Sequence, residues 1–119
     1  MRHLGIDLGT TNSVAAIDGT VVRPQTARDA PGILPSVVAY PPNGGTLIGT
    51  AAKERRSIDP KNTIYSSKRI IGATWHAYRT TKFRRQYPFE LIEEVPIPFG
   101  VSMKRSAGTE ANELLVAAE

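Results

Sequence analysis

The first eight residues alternate between apolar side chains and polar or small ones. Leu4, Ile6 and Leu8 fall on one face, whereas Gly5 and Asp7 fall on the other. A period of two is typical of a strand that buries one face. The pattern therefore predicts a half-buried β-strand at the start of the chain.

Two more strands are predicted directly after it. Residues Ser13 to Ile17 form a short apolar run, and Asp18-Gly19 is a hairpin signal before Thr20 to Arg23. The chain is therefore expected to begin with a three-stranded meander. Its prolines and glycine make residues 24–35 a predicted loop.

The rest of the chain is predicted to mix helices with short strands. Asp59 can cap a helix, Pro60 suits the first helical position and Gly72 suits the end, which predicts a helix from Pro60 to Ile71. The other predicted elements are strands at Ser36–Tyr40, Thr46–Ile48, Phe89–Glu94 and Gly100–Lys104, and helices at Thr50–Ile58, 74–87 and Thr109–Glu119. This mixture favours an α/β (mixed α+β) fold. The last helix has no stop signal, so we expect a truncated protein.

Composition narrows the class of protein. With 119 residues, of which 40% are hydrophobic and 22% charged, the chain suits one globular domain or part of one. It has no apolar run near the roughly 20 residues of a membrane span, and no leader-like start, so we expect a cytoplasmic location. Because the chain lacks cysteine, disulfides and cysteine-ligated metals are excluded. Its two isolated histidines, His3 and His76, are weak evidence for any metal site.

The positive charge is concentrated in the middle of the chain. Residues 53–85 hold ten Lys or Arg and only two acidic residues, whereas residues 1–52 balance and residues 90–119 are net acidic. A basic stretch of this kind can meet nucleic acid or polyphosphate, or it can simply be the solvated face of a helix.

The sharpest chemical feature is a carboxylate flanked by glycines. Gly5 and Gly9 stand two residues either side of Asp7 on one strand face, so no side chain crowds the carboxylate. The following turn offers N–H groups at Gly9, Thr10 and Thr11, and two hydroxyls, which together can cradle phosphate oxygens. Asp7 could then hold Mg²⁺ through water. The alternative is a hairpin in which these residues only satisfy turn geometry.

Lys68 is notable for its predicted position. In a helix from Pro60 to Ile71 it lies four residues after Ile64 and three before Ile71, on the apolar stripe. A lysine there needs an anionic partner or a route to water. It could reach the γ-phosphate of a nucleotide or orient the attacking water. Alternatively, its stem packs while the ammonium group reaches solvent.

Three segments carry a family resemblance: Asp7–Ser13, Leu34–Tyr40 and Asn62–Gly72. In this order they resemble the first phosphate loop, the Pro-Ser strand and the lysine helix of the DnaK family of heat-shock chaperones. The loop alone is shared with the wider actin and sugar-kinase superfamily, and Asn12-Ser13 with Lys68–Gly72 single out the chaperones. The resemblance covers residues 1 to about 75, and little is found from Val95 onward.

The resemblance implies a ribonuclease H-like, actin-like ATPase half-lobe that is incomplete. It also implies ATP or ADP and Mg²⁺ as ligands. The implied site residues are the phosphate loop (Gly9, Thr10, Thr11 and Asn12), the magnesium-ordering Asp7, the catalytic Lys68, and Arg69, which would line the same cleft.

The same resemblance implies how the chain is divided. Residues 1–37 would be the inner half-lobe with the phosphate loop, 38–108 the outer half-lobe, and 109–119 the start of a helix that returns to the inner one. The second phosphate loop, the adenosine pocket and the peptide-binding domain would lie beyond Glu119. The chain would then hold less than half of a site and be inactive alone.

The implied role of the whole protein is to couple ATP hydrolysis to the binding and release of unfolded polypeptides. Its partners would include a J-domain co-chaperone and a nucleotide-exchange factor, and neither nucleic acid nor a membrane. An incomplete sheet leaves an open edge and an apolar face, so we expect self-association. Two alternatives stay open: a fragment of a sugar or acid kinase that shares the loop, and a basic nucleic-acid-binding module.

Overall fold

The computed structural model describes residues 1–23, 32–93, 100–104 and 114–117. Within these ranges the chain forms three small antiparallel sheets, two α-helices and two short 3-10 turns. The predicted mixture of sheet and helix is confirmed. In the described part of the chain, neither α-helix is long and apolar enough to cross a membrane.

The first sheet contains the predicted meander. Its strands are β1 (Leu4–Leu8), β2 (Asn12–Ile17), β3 (Thr20–Val21) and β4 (Leu34–Pro35). β2 pairs antiparallel with each of the other three strands. The predicted loop at 24–35 lies outside the described residues over 24–31, and its last two residues form β4.

Local turn chemistry explains why the hairpin of β2 and β3 forms where the sequence predicts it. Asp18 and Gly19 both have positive φ, 48° and 80°, as a two-residue turn between twisted strands requires. The Asp18 carboxylate also accepts a 2.8 Å hydrogen bond from the backbone N–H of His3, at the open end of the hairpin formed by β1 and β2.

The apolar face of β1 is not buried as the alternation predicts. Leu4, Ile6 and Leu8 are 63%, 64% and 55% exposed. Strand formation is therefore confirmed, whereas burial of that face is not, because no described element of this chain packs on it. The expectation of an open apolar face is confirmed.

The second sheet has β5 at its centre. β5 (Val37–Ala39) pairs antiparallel with β6 (Leu47–Ile48) and β7 (Thr63–Tyr65), and helix α1 (Thr50–Glu54) packs against it. The strands at Ser36–Tyr40 and Thr46–Ile48 are confirmed in shortened form. α1 is shorter than the predicted Thr50–Ile58 helix.

The predicted helix from Pro60 to Ile71 is wrong. The segment is a 3-10 turn at Pro60–Asn62, strand β7, and a second 3-10 turn at Ser67–Arg69. Two β-branched residues and a tyrosine make up β7, and pairing with β5 outweighs the local helical signals. Asp59 does not cap a helix; its carboxylate instead accepts from the Asn62 side chain at 3.0 Å.

The third sheet consists of β8 (Glu90–Glu93), β9 (Gly100–Lys104) and β10 (Leu114–Ala117). The first two strands are confirmed, and residues 94–99 between them lie outside the described residues. The predicted helix at Thr109–Glu119 is wrong over 114–117, where the chain pairs antiparallel with β9. A short apolar run does not distinguish helix from strand until its partner is known.

The core lies beside the second sheet and helix α2 (Tyr78–Gln86), which confirms the basic helix predicted within 74–87. Phe83 of α2 is 3% exposed and stacks on Tyr87 with ring centroids 3.9 Å apart. The buried apolar residues fall in two clusters: Ile64, Ile70, Ala73, Phe83, Phe89 and Leu91, and Val37, Ala39 and Ala52.

Candidate functional site

The turn between β1 and β2 is tight enough to require glycine at its first position. A Cβ on Gly9 would lie 2.1 Å from the carbonyl oxygen of Asn12, far inside any real contact. A Cβ on Gly5 would meet nothing within 4 Å, so the strand face beside Asp7 is open. The structure thus assigns different roles to the two glycines: close backbone packing at Gly9 and free space at Gly5.

Ser36 attaches the turn to the second sheet. It lies between β4 and β5, where the chain passes from the first sheet to the second. Its backbone N–H donates to the carbonyl of Thr11 at 2.9 Å, and its hydroxyl donates to the carbonyl of Gly9 at 2.9 Å. One residue therefore holds two carbonyls of the turn.

Ser13 completes this hydrogen-bond network. Its hydroxyl oxygen lies 2.8 Å from that of Ser36. Because the single hydroxyl hydrogen of Ser36 is given to Gly9, Ser13 supplies the hydrogen between the two serines. The sequence analysis placed both serines in the resembling segments but selected neither as a site residue. The adjacent Pro-Ser segment was the available signal, but it did not show that the serine would reach back to the turn.

Lys68 contacts the same turn from the second 3-10 turn. Its Nζ donates a hydrogen bond to the carbonyl of Leu8, 60 residues away in sequence. The helical stripe used to predict an inward position does not exist, so that argument for Lys68 was wrong. The exposed side chain nevertheless lies beside the predicted phosphate loop. The strand that precedes it, β7, pairs with β5, which directly follows Ser36.

These contacts orient the peptide groups of the turn. In a trans peptide the C=O and the following N–H point in opposite directions. Since the carbonyls of Leu8 and Gly9 point to Lys68 and Ser36, the N–H groups of Gly9 and Thr10 point away from those donors. The arrangement separates carbonyl oxygens from N–H groups, which is what an anion-binding turn needs.

A polar cleft of about 260 Å³ opens on the threonines of the turn. Thr10 and Thr11 line it together with Ser36, Lys53 and Arg56. The Arg56 guanidinium is held over the ring of Tyr65, 3.8 Å from its centroid. Two cations that sequence reasoning did not select therefore lie on the same cleft as the predicted phosphate-binding residues, and both favour an anionic occupant.

Three predicted site residues, Asp7, Asn12 and Arg69, do not line this cleft. Asp7 is exposed on β1, and the described residues contain no group of three or more His, Cys, Asp or Glu that could hold a metal by themselves. Asn12 is exposed at the start of β2. Arg69 follows Lys68 in the 3-10 turn but lines a different groove, formed with α2.

A family model described as "Hsp70 protein" matches residues 3–113. The match extends well beyond Val95, where sequence inspection found little resemblance, so that limit was too narrow.

Individual relatives give the same result. The chain is 41% identical over 97 residues to the chaperone protein DnaK of Akkermansia muciniphila, and 42% identical over 93 residues to that of Emiliania huxleyi. It is 54% identical over 72 residues to a chaperone protein HscA homolog of Burkholderia mallei. These alignments cover 77%, 77% and 58% of this chain, but only 14%, 15% and 11% of the relatives.

Proposed function

We propose that this chain, which belongs to the Hsp70 family, provides the first phosphate loop of an ATP-binding chaperone domain. The family is an actin-like ATPase family, which confirms the predicted fold and disfavours the sugar-kinase and nucleic-acid alternatives. Because the chain spans about one seventh of the relatives it matches, the activity of the whole protein is part of the proposal. That activity is ATP hydrolysis coupled to binding and release of unfolded polypeptides.

The observation that carries the proposal is the orientation of the turn. Ser36 and Lys68 hold the carbonyls of Gly9 and Leu8, and the N–H groups of Gly9 and Thr10 face the opposite way. N–H groups and threonine hydroxyls on one loop can bind the oxygens of a phosphate chain without reorganising. Because Gly9 has no Cβ, the backbone of the turn can pack closely against the Asn12 carbonyl.

Lys68 has a definite role in this scheme. Its ammonium group has three N–H donors, one of which is engaged with Leu8. Two donors and the positive charge remain on the carbonyl side of the Leu8–Gly9 peptide, so Lys68 would meet the γ-phosphate, or the water that attacks it, from the side opposite to the Gly9 N–H group. The same contact holds the loop in place, so Lys68 would act both on the nucleotide and on the geometry of its binding loop.

Asp7 fits Mg²⁺ as a partner through water. It brings one exposed carboxylate, and the open space beside Gly5 leaves room for a hydrated ion. Mg²⁺ in nucleotide sites keeps several waters and takes few protein ligands. When bound, the ion would neutralise phosphate charge, while Asp7 would orient its water shell.

The proposal also includes the division of the chain into half-lobes and the partners of the whole protein. A boundary close to the proposed 37/38 division is supported by Ser36 at the passage between the sheets and by both buried clusters, which begin at Val37, so Val37 itself belongs with the second sheet. The J-domain co-chaperone, the nucleotide-exchange factor and the cytoplasmic location rest on family membership, and so does the placement of residues 109–119.

Amide NMR with three ligands tests the loop assignment. We expect millimolar Mg-ATP and Mg-triphosphate to shift the same amides, Gly9 and Thr10 above all, and adenosine to shift none. The reason is that this chain holds phosphate-binding groups and, in our proposal, no adenosine pocket. Shifts caused by adenosine, or loop amides that do not respond to triphosphate, would contradict the assignment.

A further inference from the structure

A second groove, of about 380 Å³, lies between the 3-10 turn Ser67–Arg69 and helix α2. Three cations line it: Arg69 from the turn, and Arg79 and Lys82 from the helix. The buried ring of Phe83 also lines the groove, and Tyr78 and Gln86 add a hydroxyl and an amide. This cationic groove plays no part in the phosphate-loop geometry.

The charge of the cationic groove is not balanced locally. Between residues 60 and 89 the sequence contains seven Lys or Arg and no Asp or Glu. Elsewhere in the described chain an arginine does find a carboxylate, as Arg55 does with Asp59 at 3.6 Å. Within the described residues, Arg69, Arg79 and Lys82 form no ion pair with a carboxylate of this chain.

We propose that the cationic groove binds a carboxylate-rich segment of a partner protein. Arginine presents a planar fork of donors that matches a carboxylate in two parallel hydrogen bonds. Arg79 and Lys82 stand three residues apart on α2, so their Cβ atoms are about 5–6 Å apart. Neighbouring acidic side chains of one peptide can therefore be held together, with Arg69 on the opposite wall.

The aromatic side chains favour an acidic protein over nucleic acid. Single-stranded nucleic acid binds by stacking its bases on exposed rings. Here Arg84 covers Trp75 at 4.1 Å, Arg56 covers Tyr65 at 3.8 Å, and Tyr87 stacks on Phe83 at 3.9 Å.

Tyr78 is the solvent-exposed aromatic residue of the groove. It is 80% exposed, and it lines the groove together with two arginines. Tyrosine and arginine are the residues that dominate protein–protein hot spots. The free ring therefore suits a protein contact, where its hydroxyl can bind a peptide backbone.

A labelled hexaglutamate peptide with blocked ends tests the proposal by fluorescence anisotropy on the 119-residue chain. We expect Arg79→Gln to weaken binding about tenfold, the scale of one charge-assisted hydrogen-bonded contact. Arg85→Gln is the matched control, because Arg85 is an exposed arginine of the same helix that does not line the groove. It should weaken binding less than about twofold.

Other outcomes overturn the proposal. Equal losses in the two variants would show attraction to net charge alone. Tighter binding of a labelled six-nucleotide oligo-dT with the same Arg79 dependence would make the groove a nucleic-acid surface. Amide chemical shifts of the unmodified chain provide a check that needs no variant. Hexaglutamate should shift the amide signals of Arg69, Arg79 and Lys82. Shifts spread over all basic residues would contradict binding at a specific groove.

Discussion

Gly9 and Gly5 flank the same carboxylate but meet different surroundings. A Cβ at Gly9 would collide with the Asn12 carbonyl at 2.1 Å, whereas one at Gly5 would enter open space. We expect Gly9→Ala to lower the free energy of unfolding by about 1–3 kcal/mol, the cost of overpacking. Gly5→Ala should change it by less than about 0.5 kcal/mol. Urea unfolding of both variants checks this, and equal effects would contradict the close approach at Gly9.

Ser36 should control the rigidity of the turn between β1 and β2, the proposed phosphate loop. Ser36→Ala removes the hydroxyl bonds to Gly9 and Ser13 and should cost about 1 kcal/mol. The backbone bond from Ser36 to Thr11 should then open more often, so hydrogen exchange at the Ser36 amide should become about fivefold faster. Ser36→Thr keeps a hydroxyl and should restore protection. Ser57→Ala, which removes an exposed serine, is the control.

At the scale of elements, α2 depends on one buried ring. Phe83 is 3% exposed and contacts Tyr87 and Phe89, whereas Tyr78 on the same helix is 80% exposed. Phe83→Ala should lower the free energy of unfolding by about 3–5 kcal/mol. Tyr78→Ala should lower it by less than about 0.5 kcal/mol. Circular dichroism can monitor the thermal unfolding of both variants. Similar midpoint temperatures would show that the buried cluster around Phe83 does not stabilise the chain.

Elements set by local chemistry could be predicted from sequence, and elements set by distant partners could not. The Asp18-Gly19 turn is a local signal for the hairpin of β2 and β3. Residues 63–65 carry helical signals on both sides but become β7 because β5 offers its edge. Lys68 contacts the loop although the helix from which it was selected does not form, and its role at a nucleotide stays a prediction. The positions of Ser36, Lys53 and Arg56 on the cleft could be recognised only from the folded structure, because these residues are distant in sequence from the turn.

The open face of β1 is a property of the whole molecule. Leu4, Ile6 and Leu8 are all more than half exposed, and β1 lies at the edge of its sheet. Apolar faces and free strand edges promote association. We therefore expect the chain to self-associate with rising concentration, as sedimentation velocity would show.

Two isoleucines of similar exposure provide the comparison for this prediction. Ile6 is 64% exposed on the open face, and Ile58 is 70% exposed elsewhere. Ile6→Lys should shift the chain towards monomer, because a charge is then placed on the associating face. Ile58→Lys should leave the distribution unchanged. A monomer at all concentrations, or an equal shift in both variants, would contradict the role of this face.

In our proposal the chain supplies one phosphate loop and one lysine of a nucleotide site, and its alignments cover about one seventh of the relatives. Isothermal titration of the 119-residue chain with Mg-ATP tests this account most directly. We predict no saturable binding in the micromolar range and no hydrolysis, because the loop alone supplies only part of the contacts. A micromolar Kd or steady turnover would contradict the claim that the site is shared with other segments of the protein.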